Sequence, residues 1–276
     1  MLRSQTATDA PARQRFTDAV AVVTGSGRGI GFEVARLLLA EGARVVVNDV
    51  NPARLDEAVE RLGGDETRVR RSLTDVTDPA AVEAMLAETV TAFGEVDVLV
   101  NVVGGSYGAV HMRLLEFDLA EWRRVLELNL TSVFLCTKAV VPSMRRKGKG
   151  AIVNVSSSAG VRGEPGLWSP PYCAAKAGVQ GLTRQVANEY GHAGIRVNCV
   201  AQGDVLSERT YEYLHGEEPG YFEDEQEARR RYERFPIPRL GEPVEVANVI
   251  CFLASDDASY VTGETVLITG GSYLAP

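Results

Sequence analysis

The sequence predicts a three-layer α/β fold: one domain built on a doubly wound parallel sheet. Three observations carry this reading. Short runs rich in Val, Ile and Ala alternate with longer amphipathic stretches along nearly the whole chain, as βαβ units with right-handed crossovers require. The apolar runs are continuous rather than alternating, which fits strands buried on both faces. A glycine-rich turn, Thr24-Gly25-Ser26-Gly27-Arg28-Gly29-Ile30-Gly31, joins the first run to the first amphipathic stretch.

Ala19–Val23 reads as the first strand, and Gly29–Glu41 as a helix with Ile30, Val34, Leu37 and Leu38 at helical spacing and Gly42 just past its end. Arg44–Asp49 is the second strand, followed by a helix over Pro52–Leu62 and a third strand around Arg68–Ser72. A helix over Pro79–Phe93, a strand over Val96–Val100 and one long helix over Leu119–Met144 continue the alternation. The strand Ala151–Val155, a helix after Pro170, the strand Arg196–Val200, a helix over Val244–Leu253 and a strand over Thr265–Ile268 complete it. Residues 1–16 read as a loose polar tail, and Asp204–Pro238 as a long irregular insertion of the kind that forms a lid.

The chain has 276 residues, 45% of them hydrophobic and 24% charged, with a net charge of -8. That charge argues against a nucleic-acid or anionic-membrane surface, which needs a concentrated basic face. No run reads as the roughly 18 apolar residues of a membrane span. Cys136, Cys173, Cys199 and Cys251 are scattered, with neither metal-ligand nor disulfide spacing. A reduced, cytoplasmic setting fits them. His111, His192 and His215 form no metal or triad pattern.

Glycines let a turn approach a pyrophosphate closely, while the N-terminus of the following helix offers free N–H groups and a positive dipole end. Asp49 closes the second strand, 24 residues after Gly25. A carboxylate there accepts hydrogen bonds from an adenosine ribose and repels a 2′-phosphate. Arg28 could meet such a phosphate, but Asn48 adds no positive charge, so NAD is favoured over NADP. Tyr172 and Lys176 stand at i and i+4, on one face of a helix near its start. An ammonium beside a phenol favours the phenolate and suits it to proton transfer.

Together, Thr24–Gly31, the Tyr172/Lys176 pair, Asn154-Val155-Ser156-Ser157, Asn129 and Val261-Thr262-Gly263 resemble a compact, one-domain short-chain dehydrogenase/reductase. The resemblance implies a Rossmann-type sheet of seven strands in the order 3-2-1-4-5-6-7. It also implies hydride transfer between a nicotinamide cofactor and an alcohol or ketone, and a homotetramer or homodimer. In this resemblance Tyr172 is the general acid/base, Lys176 holds the nicotinamide ribose, Ser157 polarises the substrate oxygen and Asn129 holds a relay water. Gly25, Ser26, Arg28, Gly29, Ile30 and Gly31 would cradle the dinucleotide, Asp49 its ribose, and Asp75 with Val76 its adenine. Asn101 and Gly104 would lie beside the cofactor, with Gly203, Val205 and Ser207 near the nicotinamide.

Several positions depart from the family pattern. The turn after the fourth strand is Asn101-Val102-Val103-Gly104-Gly105 rather than Asn-Asn-Ala-Gly, and Gln202-Gly203 replaces the usual Pro-Gly. Ser207 stands where a Thr is common. Trp168-Ser169-Pro170-Pro171 lengthens the approach to Tyr172. The insertion offers Tyr211, Tyr213, Tyr221, Phe222, Tyr232 and Phe235 beside Arg229, Arg230 and Arg231. Such a surface is compatible with a cyclic or aryl alcohol, a dihydrodiol or a 3-oxoacyl compound. The alternative is a catalytically silent NAD-binding scaffold or sensor.

Overall fold

The computed structural model describes residues 13–105, 112–163, 168–208, 226, 230 and 232–273. Seven strands form one sheet in the order β3-β2-β1-β4-β5-β6-β7, and every pairing is parallel. They are β1 (Val20–Thr24), β2 (Arg44–Asp49), β3 (Val69–Leu73), β4 (Val98–Asn101), β5 (Gly150–Ser157), β6 (Ile195–Gln202) and β7 (Thr265–Ile268). Between them run α1 (Gly29–Ala40), α2 (Pro52–Arg61), α3 (Pro79–Phe93), α4 (Leu119–Leu126), α5 (Ser132–Lys147), α6 (Pro170–Tyr190) and α7 (Pro243–Ala254).

Alternate residues of each strand feed two cores. Val23, Val45, Val100, Val153 and Val200 pack with α1, α2 and α7 on one face. Val22, Val46, Leu99, Ile152 and Val197 pack with α3, α5 and α6 on the other. Burial on both sides explains why the central strands read as unbroken apolar runs. Helix starts are fixed locally: Asn51 accepts from the Arg54 N–H ahead of α2, and Asp78 accepts from those of Ala80 and Ala81 ahead of α3. Pro52 and Pro79 occupy first-turn positions, where a missing N–H costs nothing.

Three expectations change. The long helix is not uniform: its turns widen to π geometry over Glu127–Thr131, between α4 and α5. From Leu119 to Lys147 this helical run does contain a window long and apolar enough to cross a membrane. Its apolar residues Val125, Val133, Cys136, Val140, Val141 and Met144 are nevertheless buried inside the fold, so the hydropathy there is that of a core helix. The end of the supposed loose tail is also pinned. Phe16 is buried in the α1 core, and Arg15 donates from Nε and Nη2 to the Glu41 carboxylate at 2.5 and 2.6 Å. Residues 1–12 and most of the expected lid lie outside the described residues.

At the β1–α1 turn, Gly25 and Gly29 take φ of +62° and +59°, in the left-handed region. A Cβ on Gly31 would overlap the Gly25 carbonyl oxygen, a backbone atom that cannot move aside cheaply. Gly31→Ala is therefore expected to cost about 1–3 kcal/mol through overpacking. Urea denaturation checks this, and an unchanged midpoint would contradict it.

Candidate active site

Beyond the carboxyl ends of β1, β2 and β4 opens a cleft of about 440 Å³, the place where ligands bind in open α/β sheets. Gly25, Arg28, Gly29, Ile30 and Gly31 line one side, and Asp49, Asp75 and Val76 another. The first turn of α1 has no side-chain cap and no acidic residue, so its N–H groups face the cleft as an anion-binding end. Asp49 packs over the loop, its Oδ2 2.5 Å from where a Cβ on Gly27 would stand, while its Oδ1 accepts from the Asn51 N–H at 2.9 Å. Asp75 Oδ1 accepts from Thr77 N–H and hydroxyl, fixing the turn that presents Val76. These glycines and the uncapped start of α1 fit a dinucleotide.

Three residues expected at the cofactor have enclosed side chains. The Ser26 hydroxyl donates to the Val23 carbonyl at 2.7 Å and accepts from the Asn48 N–H at 2.9 Å, so it braces the loop onto β2. Asn101 donates to Asn154 Oδ1 at 2.8 Å, and Asn154 donates in turn to the Thr183 hydroxyl at 2.9 Å. That chain ties β4 to β5 and α6. Val205 is also turned into the α1 core. Val50, Arg54, Thr74 and Leu128 line the cleft without having been singled out in the sequence, beside Val102 and Val103 of the altered turn. Adjacency to Asp49 was the only signal for Val50, an apolar residue 63% exposed at the mouth. The Val-Val departure has a visible role. Thr24 Oγ1 accepts from the Val102 N–H at 3.1 Å, and Val103 Cγ2 lies 3.0 Å from where a Cβ on Gly25 would be, so it closes the loop from above.

Lys176 stands at the centre of the sheet edge, with Tyr172, Gly104 and Asn129 around it and Ser157 at the end of β5. Lys176 is 3% exposed, and its Nζ donates to the Val155 carbonyl at 3.0 Å. The same Nζ lies 5.7 Å from the centroid of the Tyr172 ring. Burial pushes the Lys176 ammonium down to about 8. Ser156 donates its hydroxyl to the Lys176 carbonyl at 2.8 Å, which holds α6 against β5. Ser157 ends β5, and its Oγ accepts from the Ala159 N–H at 3.1 Å.

Asn129 sits in the π turn, fully buried. Its Nδ2 donates to the carbonyls of Val125 and Gly105 at 2.9 and 2.7 Å, and its Oδ1 accepts from the Gly105 N–H at 2.9 Å. The side chain thus clamps the turn after β4. A Cβ on Gly104 would stand 2.7 Å from Asn129 Oδ1 and 2.8 Å from Lys176 Nζ, so a larger residue would push apart the turn, the asparagine and the ammonium. π turns are rare and cluster at functional sites.

On the side beyond β6, Gly203 packs on Thr269, while Ser207 and Glu208 reach the cleft. The turn after β7 gathers the surrounding segments. Ile237 donates its N–H to the Gly270 carbonyl at 2.9 Å, and Arg162 donates from Nη1 to the Ser272 carbonyl at 3.1 Å. The Arg162 guanidinium stands 5.9 Å from the Trp168 ring centroid and 5.6 Å from that of Tyr273. His111 and residues 209–225 fall outside the described residues.

A family model described as enoyl-(acyl carrier protein) reductase matches residues 25–273. The chain belongs to the short-chain dehydrogenase/reductase family. It is 37% identical over 262 residues to the (2S)-[(R)-hydroxy(phenyl)methyl]succinyl-CoA dehydrogenase subunit BbsD of Thauera aromatica, covering 92% of this chain and 96% of that one. It is 38% identical over 257 residues to the 3-oxoacyl-[acyl-carrier-protein] reductase FabG of Thermotoga maritima, covering 93% and 98%. A crystal structure of a 3-oxoacyl-[acyl-carrier protein] reductase from Brucella melitensis superposes with a TM-score of 0.88 at 32% identity, covering 100% and 98%. The seven-strand order is thus the family's, and the chain is an oxidoreductase by descent.

The buried lysine makes stability depend on pH. Below about pH 8 the ammonium is charged in both folded and unfolded chains, and its burial opposes folding; above its ordinary value of 10.5 both forms are neutral. Between these limits the unfolded chain binds more protons, so stability rises with pH, by up to ~3 kcal/mol. The wild-type protein is expected to gain that much relative to Lys176→Met over this range in denaturation series. A constant difference would contradict it.

Proposed function

We propose that this protein transfers hydride between NAD(H) and a secondary alcohol or ketone, with Tyr172 as general acid/base. The observation that carries the reading is the buried Lys176 ammonium beneath the Tyr172 ring. An ammonium kept out of water and bonded to one carbonyl acts strongly on a neighbouring phenol. In the oxidation direction the Tyr172 phenolate takes the proton of the substrate hydroxyl. Ser157 holds the substrate oxygen, and Lys176 stabilises the phenolate before transfer. A nicotinamide held beside Tyr172 and Lys176 would supply the acceptor for the hydride on the carbon that bears this hydroxyl. Asn129 fixes the turn carrying Gly104, and so keeps Lys176 and that turn in register.

The relatives' names point to the substrate class. One acts on an acyl group carried by coenzyme A and bearing a hydroxy(phenyl)methyl substituent, the other on a 3-oxoacyl group carried by acyl carrier protein. We take a hydroxyacyl or oxoacyl thioester, or a cyclic or aryl alcohol, as the class to test first. Asp49 supports NAD, since a 2′-phosphate would meet its carboxylate, although Arg28 and Arg54 line the same cleft.

Two outcomes are expected. Tyr172→Phe lowers turnover at least ~100-fold in a screen of acyl thioesters, diols and aryl ketones while NADH still binds; undiminished turnover would refute the assignment. The wild type shows a higher kcat/KM with NADH than with NADPH, and Asp49→Ala narrows that gap about tenfold or more. Equal use of both cofactors by the wild type would overturn the NAD assignment.

A further inference from the structure

Gln202 is the last residue of β6 and stands where the family usually has a proline. It is in register with Ser157 on one side and Ile268 on the other. Residues paired across a parallel ladder project from the same face of the sheet, and neighbouring strands lie about 4.8 Å apart. The Gln202 carboxamide therefore leaves the sheet beside the group that would hold the substrate oxygen. Its Oε1 is buried and has no hydrogen-bond partner among the described residues.

A buried carbonyl oxygen without a donor calls for a partner, because such groups in native proteins are almost always paired. A proline would have carried no such group. The loop that continues from Gln202 reaches the dinucleotide cleft within a few residues, at Ser207 and Glu208. An acceptor thus stands at the carboxyl edge of the sheet beside Ser157, on the strand whose following loop reaches the cofactor cleft.

We propose that Gln202 is a cofactor-positioning residue whose Oε1 accepts a hydrogen bond from the carboxamide N–H of bound nicotinamide. The carboxamide is attached next to the ring carbon that exchanges hydride. Holding it fixes the rotation of the ring relative to Ser157 and Tyr172. The assignment rests on the reading of the cleft as a nicotinamide site.

Dissociation constants of NADH, of reduced 3-acetylpyridine adenine dinucleotide and of ADP-ribose, measured by titration on wild type and Gln202→Met, test it. The acetylpyridine analogue carries a methyl ketone and has no N–H to donate, and ADP-ribose has no ring. NADH is expected to bind about tenfold more weakly to the variant, the loss of one buried neutral hydrogen bond. Binding of the other two should be unchanged. A variant that keeps the wild-type preference for NADH over the analogue overturns the proposal, as does equal weakening of all three, which marks a structural role. Gln202→Pro, with the family's usual residue, gives the same reading if the Met variant folds poorly. A wild type that binds ADP-ribose and NADH no better than background instead refutes the nicotinamide site itself.

Discussion

Placing an ammonium out of water is the constraint around which this site is built. Lys176 has a carbonyl partner in Val155, and an ion so enclosed costs several kcal/mol unless something compensates. The surroundings make that burial possible. Ser156 bonds the Lys176 backbone from below, Gly160 leaves room for the backbone of the same turn, and Gly104 lets the β4 turn close over Nζ. The cost is retained where a charge can act on a phenol, as expected of functional sites with perturbed ionisation.

The second dependence is on backbone, not side chains. The cleft's anion-binding end is a helix terminus without a cap, and its floor is glycine that no other residue can replace without touching Gly25 or Asp49. Ser26, which sequence alone places at the cofactor, serves by bonding the loop to β2. Preorganisation of this kind spares the ligand the cost of ordering the loop.

Much of this was legible in the sequence because it follows from periodicity and chemistry. Unbroken apolar runs located the central strands, and the i, i+4 spacing placed Tyr172 and Lys176 on one helical face. What was not legible depends on tertiary contact. Nothing in Glu127–Thr131 distinguishes a π turn from ordinary helix, since its residues carry no breaker. Arg15 and Phe16 look like tail until Glu41 and the α1 core are folded beside them. The orphaned oxygen of Gln202 is visible only once its neighbours are known, because a glutamine ending a strand is ordinary in composition.

The π turn also bears on how this chain can tolerate change in length. Each residue of an α-helix advances about 100° around the axis. A π turn holds one residue more than the α turn it replaces, so losing one residue between Glu127 and Thr131 would let the helix regularise while Val125 and the Val133, Cys136 and Val140 stripe keep nearly the same faces. The penalty of such a deletion falls on the asparagine clamp, which holds the turn after β4 only from its place in the π segment. The extra residue of this helix thus serves the contact that Asn129 makes with the neighbouring turn, and not the packing of the helix itself.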